Sequence, residues 1–207
     1  KVKKSKFFKL FSLFGCVAST GIGCIFNEAN VKPYHKVAIV GVGSLGLCLI
    51  MGAKLANAEE IIAFDDRKNA NKKVKMFGGG KTLKINFKKY QNYFDKVFIS
   101  ATQPKNVEYA HSILNEGGEL FVVGVPSPKE KIKINTLGIH FNKKLRGSYG
   151  GSIVPERDIP AYINLQNRKI INLNRLIVKE YKLDDINVPI KKMLGKKSSI
   201  GRYLIKM

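Results

Sequence analysis

Cysteine is scarce in this 207-residue sequence, and its scarcity excludes the class of small proteins held together by disulfides. Cys16, Cys24 and Cys48 are an odd number, and each lies in apolar sequence. A disulfide scaffold needs a denser, pairwise framework of cysteines. We therefore expect reduced thiols, a reducing compartment and a cytoplasmic location.

Acidic residues are also few: 15 Asp and Glu face 37 Lys and Arg, which gives a formal net charge of +22. Such a surplus suits a protein that binds nucleic acid or a membrane surface. Arginine, whose planar fork recognises phosphates, is nevertheless scarce, and the lysines are scattered rather than clustered. We favour a general lysine surplus, with no nucleic acid and no membrane among the partners. Binding to a polyanion stays open as the alternative.

Long uncharged stretches are missing beyond the first residues, so no later segment has the length to span a bilayer. The start itself has the layout of a lipoprotein-type secretion signal, because the lysines within residues 1–6 precede an apolar run that ends at Cys16. Lys9 interrupts that run, and the chain begins with Lys rather than Met. We favour a folded segment here and keep the signal as an alternative.

The strongest local pattern is a glycine-rich turn between an apolar strand and a helix. Residues 35–40 form a short β-rich run, and apolar residues recur at helical spacing over 45–55. Between them, Gly41, Gly43 and Gly46 have the spacing of a dinucleotide fingerprint. The first glycine permits a tight turn, the second leaves room for a pyrophosphate, and the third lets helix and strand pack closely. The helix start, with its free N–H groups and its dipole, then favours a diphosphate.

A second predicted strand, residues 60–64, ends at Asp65, and this acid supports the fingerprint. A carboxylate about twenty residues past the glycines accepts the hydroxyls of an adenosine ribose. Its charge repels a 2′-phosphate and so favours NAD over NADP, whereas Arg67 and Lys68 could accommodate that phosphate. The alternative is that Asp65 caps the N-terminus of a helix over residues 67–77.

Strands and helices continue to alternate towards residue 150. We predict strands at 81–85, 96–100, 119–123 and 143–148, and a helix from Pro104 to about residue 115 that Gly117-Gly118 closes. Repeated β–α–β units of this size predict an α/β fold, a Rossmann-type doubly wound parallel sheet with helices on both faces. Ligands gather at the carboxyl ends of such strands. The residues that fall there are Gly41, Asp65, Ser100, Ala101 and Gly124.

The pattern changes past residue 150, where no strand–glycine–helix unit recurs. The sequence predicts a helix over 155–167, irregular structure or a short strand over 172–181, a helix from 183 to about 194 and a final strand over 199–206. We therefore divide the chain into residues 1–17, residues 18–149 as a nucleotide-binding Rossmann domain, and residues 150–207 as a C-terminal segment.

Further motifs follow one another in a fixed order along the chain. They are Gly15-Cys16-Val17-Ala18-Ser19-Thr20-Gly21-Ile22-Gly23, Gly41-Val42-Gly43-Ser44-Leu45-Gly46-Leu47, Asp65, Phe77-Gly78-Gly79, Gly117-Gly118-Glu119-Leu120, Val123-Gly124-Val125-Pro126, Arg146-Gly147-Ser148-Tyr149-Gly150-Gly151 and residues 195–205. Their order and spacing resemble the zinc-containing alcohol dehydrogenases of the medium-chain dehydrogenase/reductase superfamily. The resemblance implies a Rossmann cofactor domain with the entry helix and the returning tail of the family's catalytic domain.

The resemblance also implies a nicotinamide cofactor and a role for each matching residue. The implied cofactor-binding residues are Thr20, Gly41, Val42, Gly43, Ser44, Leu45, Gly46, Asp65, Arg67, Ser100, Ala101, Val123, Gly124, Val125 and Arg202, with Thr102 beside the same groove. The glycines and Arg202 would hold the diphosphate, Asp65 the ribose, and Thr20 would lie near the nicotinamide. Cofactor domains of this family often pair edge to edge, so a homodimer through the strand near Leu145 is one implied assembly.

For the metal, Cys16 matches one of the three protein ligands of the family's catalytic zinc. The other ligands, and a four-cysteine structural zinc lobe, have no counterpart in this sequence. The three histidines lie in unrelated contexts, and the two other cysteines do not complete a tetrahedral site by spacing alone. The alternative for Cys16 is a small buried apolar residue.

The implied reaction is hydride transfer between an alcohol or aldehyde and NAD, in which zinc lowers the pKa of the alcohol or polarises the carbonyl. We expect this chain alone to bind NAD without a complete catalytic site. The alternative is a non-catalytic nucleotide-binding or partner-binding module, since one fold serves many functions.

Overall fold

The computed structural model describes residues 8–101, 103–195 and 199–206. The basic residues of the signal-like start, Thr102 and part of the last resembling motif lie outside the described residues. Within the described ranges no single helix is long and apolar enough to cross a membrane, although Phe8–Gly15 and Val17–Glu28 together would be, with a 62° bend between them.

Six parallel strands form the central sheet. They are β1 (Lys36–Val40), β2 (Glu60–Phe64), β3 (Lys81–Leu83), β4 (Phe94–Ile99), β5 (Leu114–Val122) and β6 (Lys144–Gly147). Their order across the sheet is β3-β2-β1-β4-β5-β6, and each neighbouring pair is parallel. The order reverses between β1 and β4, and such a switch point opens a crevice at the carboxyl ends of the two strands. The predicted doubly wound parallel sheet is confirmed.

Seven α-helices surround this sheet and a smaller one within the described residues. They are α1 (Val17–Gly23), α2 (Ser44–Leu55), α3 (Ala70–Met76), α4 (Pro104–Ser112), α5 (Thr136–His140), α6 (Pro155–Asn167) and α7 (Asn187–Leu194). A π-helical turn, Cys24–Glu28, extends α1, and 3-10 helices lie at Phe8–Gly15, Lys88–Tyr90, Gly150–Ser152, Leu173–Leu176 and Leu183–Asp185. The smaller sheet pairs β7 (Ile177–Lys182) with β8 (Arg202–Lys206) in parallel. The division of the chain at residues 17 and 149 stays a prediction.

The central strands are buried on both faces, which explains why their sequences are apolar throughout rather than alternating. In β1, Val37 and Ile39 belong to one apolar core, which also contains residues of α1, α2 and α3. Ala38 and Val40 belong to a second core, on the side of α4. Side chains on a strand alternate between its faces, so one short run supplies both cores.

Several predicted boundaries are wrong, and for two of them local backbone geometry explains why. Helix α4 ends at Ser112, and β5 starts at Leu114, so Gly117 and Gly118 lie inside a strand instead of closing a helix. The pairing of β5 with β4 shifts register at this point, and Gly117 has a φ of +73°, as an irregular insertion in a strand requires.

The helix predicted from residue 183 is instead a 3-10 turn, Leu183–Asp185, followed by α7 from Asn187. Pro189 therefore falls in the first turn of α7, where its missing N–H and fixed φ cost little. The last strand likewise begins later than predicted, at Arg202.

Helices α1 and α2 pack against each other at a glycine, and this contact carries the start of the chain to the fingerprint helix. A Cβ at Gly21 would lie 2.5 Å from the Cβ of Cys48 and 2.9 Å from its carbonyl carbon. Only a glycine in α1 lets the two helix backbones approach this closely.

We predict that Gly21→Ala destabilises the fold by about 1–3 kcal/mol, because the added methyl must push two helix backbones apart. Chemical denaturation of wild type and variant measures the difference. Gly15→Ala is the matched control, since a Cβ at Gly15 meets no atom within 4 Å. Equal stability of the two variants would contradict the packing described here.

Candidate nucleotide-binding site

The glycine-rich turn leaves β1 in a conformation that few residues adopt. Gly41 has a φ of +91°, and its N–H donates to the carbonyl of Phe64 at 2.9 Å. A Cβ at Gly41 would lie 2.6 Å from the Cβ of Ala101. Both the positive φ and the lack of space require glycine at this position.

The other two fingerprint glycines differ in what surrounds them. A Cβ at Gly46 would lie 2.0 Å from the carbonyl oxygen of Gly41, so α2 rests directly on the turn. A Cβ at Gly43 would meet no atom within 4 Å. One glycine thus allows close packing, whereas the other leaves open space in front of α2, as the fingerprint requires.

The first turn of α2 faces this open space with unneutralised positive polarity. Gly43 precedes the helix and provides no side-chain cap, and the first turn contains no acidic residue. The first N–H groups of a helix have no partner within it and attract anions together with the helix dipole. The end of β1 therefore presents the arrangement that binds a phosphate group.

The end of β4 stabilises the turn from its other side. The Ser100 hydroxyl donates to the Gly41 carbonyl at 2.6 Å, and the N–H groups of Ser100 and Ala101 both donate to the Val40 carbonyl, at 2.9 and 3.2 Å. Ser100 and Ala101 thus lie at the switch point, as the sequence predicts. The hydroxyl of Ser100 is engaged with the turn itself.

The structure brings Asp65 directly to the fingerprint. Its side chain is 6% exposed, and its Oδ2 accepts the N–H of Val42 at 2.7 Å. Arg67 donates to the same carboxylate from its backbone N–H, its Nε and its Nη2, at 2.9, 2.9 and 2.7 Å. Burial opposes ionisation, but the hydrogen bonds from Arg67 and Val42 outweigh it and hold the pKa of Asp65 below its usual value. Helix α3 begins only at Ala70, so the alternative that Asp65 caps this helix is wrong.

The end of β5 lies next to β4 at the same edge of the sheet. The N–H groups of Val123 and Gly124 donate to the carbonyl of Ile99 at 2.9 and 3.0 Å. Val123 is buried, whereas Val125 is 92% exposed. This segment therefore runs from the core out to the surface beside the crevice.

The C-terminal segment returns to the start of α2, as the implied role of Arg202 requires, through a contact of Ser44 that sequence reasoning did not predict. The Ser44 hydroxyl donates to the carbonyl of Gly201 at 2.7 Å. The contact places Arg202, the next residue, near α2. Cys48 of α2 senses this charge: burial raises the pKa of its thiol to about 12, and the positive charge of Arg202 opposes that rise. Leu45, beside Ser44, packs partly buried against the larger core.

A second contact that the sequence did not reveal joins Thr20 to the Gly-Gly pair after β6. Gly151 has a φ of +71°, and a Cβ there would lie 2.5 Å from the carbonyl oxygen of Thr20. The signal was present in the sequence as Gly150-Gly151, but a glycine pair does not name its distant partner. The contact holds the Thr20 carbonyl against the 3-10 turn that follows β6.

The described residues of this chain do not form a zinc site. Cys16 is exposed at the start of α1, whereas Cys24 and Cys48 are buried. Burial and the neighbouring Glu28 raise the pKa of Cys24, which disfavours the thiolate that zinc binds. Nowhere in the described ranges do three His, Cys, Asp or Glu side chains come together as metal ligands would. The alternative of a buried Cys16 is wrong, because this side chain faces solvent.

Comparison with known sequences identifies the family. The sequence model of the zinc-binding dehydrogenases matches residues 44–168, more than half of the chain. The chain belongs to the zinc-binding dehydrogenase family. The match begins at Ser44, the first residue of α2, and extends past the end of α6. The predicted resemblance to the zinc-containing alcohol dehydrogenases is confirmed.

Individual relatives share the sequence and the fold but are about twice as long. Alcohol dehydrogenase 6 of Peromyscus maniculatus is 29% identical over 204 residues, which cover 93% of this chain and 54% of the relative. An alcohol dehydrogenase zinc-binding domain protein from Burkholderia ambifaria has a similar fold, with a TM-score of 0.88, 24% identity, and coverage of 93% of this chain and 54% of its own. Benzyl alcohol dehydrogenase from Acinetobacter calcoaceticus also has a similar fold, with a TM-score of 0.88 and 24% identity. The match covers 100% of this chain and 59% of that protein. This zinc-binding dehydrogenase chain thus spans about half the length of the relatives that it matches.

The ionisation of Asp65 predicts how stability depends on pH. Its pKa is lower in the folded than in the unfolded chain, so its stabilising effect is complete above the unfolded value, about 4, and is lost as the pH falls through the folded value. We predict that Asp65→Asn is less stable than wild type at pH 7 and that this difference narrows below about pH 4. Urea denaturation of both proteins at pH 7 and at pH 3 measures the difference in their free energies of unfolding.

Asp184→Asn is the control for removing one negative charge, since Asp184 is exposed in the 3-10 turn before α7. A difference between wild type and Asp65→Asn that stayed constant down to pH 3 would contradict the role of the carboxylate hydrogen bonds.

Proposed function

We propose that this chain binds NAD(H) and forms the cofactor-binding part of an oxidoreductase that transfers a hydride between an alcohol or aldehyde and NAD. The observation that carries the proposal is the open space at Gly43, in front of the uncapped start of α2, with the Asp65 carboxylate at the same turn. Family membership supports it, because the curated relatives are alcohol dehydrogenases.

Each part of the site then has one task. The N–H groups at the start of α2 bind the diphosphate, and Gly43 leaves the room that a side chain would fill. Asp65 accepts the hydroxyls of the adenosine ribose. Thr20 and the segment Val123 to Val125 lie on the side where the nicotinamide extends, and bound NAD supplies the chemistry of hydride acceptance and donation.

Asp65 supports NAD rather than NADP as the cofactor. A carboxylate that is 6% exposed and held ionised repels a 2′-phosphate placed against it. Solved structures with this fold include one described as complexed with NADH and one as bound to NADP, so the fold itself accommodates both cofactors.

The zinc chemistry of the family lies beyond what the described residues provide. Cys16 supplies one sulfur, and no second or third ligand approaches it within the described ranges. We therefore propose that catalysis needs polypeptide corresponding to the rest of the relatives' length. Assembly into a homodimer through β6, an outer strand on which Leu145 is 40% exposed, stays a prediction.

A second candidate function is a nucleotide-binding module that performs no catalysis. The solitary Cys16 favours it, since a single thiolate is not a zinc site. The reading frame upstream of Lys1 separates the two candidates. Continuation of that frame into the remaining zinc ligands supports the enzyme, and a natural start codon near Lys1 supports the module.

We predict that the chain binds NADH with a dissociation constant in the micromolar range and that Gly43→Val weakens binding at least about tenfold. The added side chain enters the space that the diphosphate needs, while the fold has room for it. Isothermal titration calorimetry measures both constants. Gly15→Val, also at an open position, is the control. Unchanged binding in Gly43→Val, or no binding by folded wild type, would refute the proposed site.

We also predict that this chain alone, supplied with zinc, NAD and a primary alcohol, produces no NADH although it binds the cofactor. The physical reason is the incomplete ligand set around Cys16. Absorbance at 340 nm reports the reaction. Zinc-dependent oxidation of the alcohol by the chain alone would overturn the assignment of the metal ligands to other sequence.

A further inference from the structure

The carboxylate assigned to the ribose is already occupied by a side chain of the same loop. Arg67 forms a two-point contact with Asp65, in which Nε donates to Oδ1 at 2.9 Å and Nη2 donates to Oδ2 at 2.7 Å. Two backbone N–H groups complete the set: that of Arg67 on Oδ1 at 2.9 Å and that of Val42 on Oδ2 at 2.7 Å. Each oxygen of a carboxylate accepts about two hydrogen bonds, so the acceptor capacity of Asp65 is filled.

The two kinds of donor differ in how easily they leave. The backbone N–H groups belong to the turn after β1 and to the loop after β2, and they stay as long as the fold does. The Arg67 side chain is 40% exposed, against 6% for Asp65, so the guanidinium covers the carboxylate from the solvent side. Rotation of Arg67 frees one acceptor position on each oxygen.

Two freed positions, one on each oxygen, match the two neighbouring hydroxyls of a ribose. We propose that the Arg67 guanidinium occupies the place of the ribose diol, that NAD binding displaces it, and that Arg67 thereby sets how strongly the site prefers NAD over NADP. The inference rests on the proposed function, because it concerns the same Asp65 pocket.

The displaced guanidinium has opposite effects on the two cofactors. For NAD, the need to break the ion pair opposes binding, because the neutral ribose hydroxyls form weaker hydrogen bonds with Asp65 than the charged guanidinium does. For NADP, the same cation lies within reach of the 2′-phosphate and offsets the repulsion from Asp65. Arg67 therefore weakens the discrimination that Asp65 alone would impose.

The test compares the binding of NADH and NADPH to wild type and to Arg67→Ala by isothermal titration calorimetry. We expect Arg67→Ala to bind NADH about twofold to fivefold more tightly, since it no longer has to break a partly exposed ion pair. We expect it to bind NADPH at least about tenfold more weakly, because the guanidinium–phosphate contact is lost. Arg67→Lys keeps the positive charge but loses the planar guanidinium that makes the two-point contact with Asp65. We therefore expect its NADH affinity to rise and its NADPH affinity to stay near that of wild type.

Lys68→Ala is the matched control, because it removes one positive charge at the next position. Lys68 is exposed and makes no hydrogen bond or ion pair with Asp65 in the described part of the chain. Since a positive charge at this position also attracts the 2′-phosphate, we expect Lys68→Ala to weaken NADPH modestly and NADH only slightly, without the gain in NADH affinity expected of Arg67→Ala. Thermal unfolding of each variant establishes that it is folded.

The outcomes separate this inference from the function on which it rests. If wild type binds NADH but Arg67→Ala changes both affinities only as Lys68→Ala does, the role of Arg67 is refuted and the proposed function stands. Weaker NADH binding by Arg67→Ala than by Lys68→Ala would show that the guanidinium holds the cofactor directly, and would also refute it. If folded wild type binds neither cofactor, the proposed function fails and the inference fails with it.

Discussion

The structure depends on one close backbone approach: α2 rests on the turn after β1, with no space between Gly46 and the carbonyl of Gly41 for even a methyl group. This approach aims the start of α2 at the crevice where the strand order reverses. The Val42 N–H then ties the turn to Asp65 at the end of β2, and the Ser100 hydroxyl ties it to the end of β4. Three strands thus converge on one backbone conformation, and the site exists because that conformation is fixed.

Much of this arrangement could be predicted because its causes are local. A run of buried β-formers followed by Gly41, Gly43 and Gly46 encodes the strand, turn and helix within about twenty residues. Parallel strand order follows from repeated β–α–β units, whose connections are right-handed. The prediction failed where local signals conflict. Gly117-Gly118 has the composition of a helix end, yet both residues lie within β5, where they form an irregular insertion. The pairing of β5 with β4, which no local signal encodes, determines their conformation.

The candidate site was predictable in position but not in detail. Spacing placed Asp65 beside the fingerprint, yet the Arg67 side chain on its carboxylate depends on a rotamer that sequence spacing does not specify. The Ser44 hydroxyl bonds to Gly201, far along the chain, and such a contact follows only from the completed fold. Cys16 illustrates the opposite limit: the motif predicts that it is a zinc ligand, but a zinc site needs partners that the described residues do not supply.

The most direct test of the central claim is a crystal structure of this chain grown with NADH. We expect the diphosphate within hydrogen-bonding distance of the backbone N–H groups at the start of α2. We also expect the adenosine ribose on Asp65, with the Arg67 side chain turned away. A cofactor bound elsewhere on the chain, or a diphosphate that does not contact the turn between Gly41 and Gly46, would contradict the central claim.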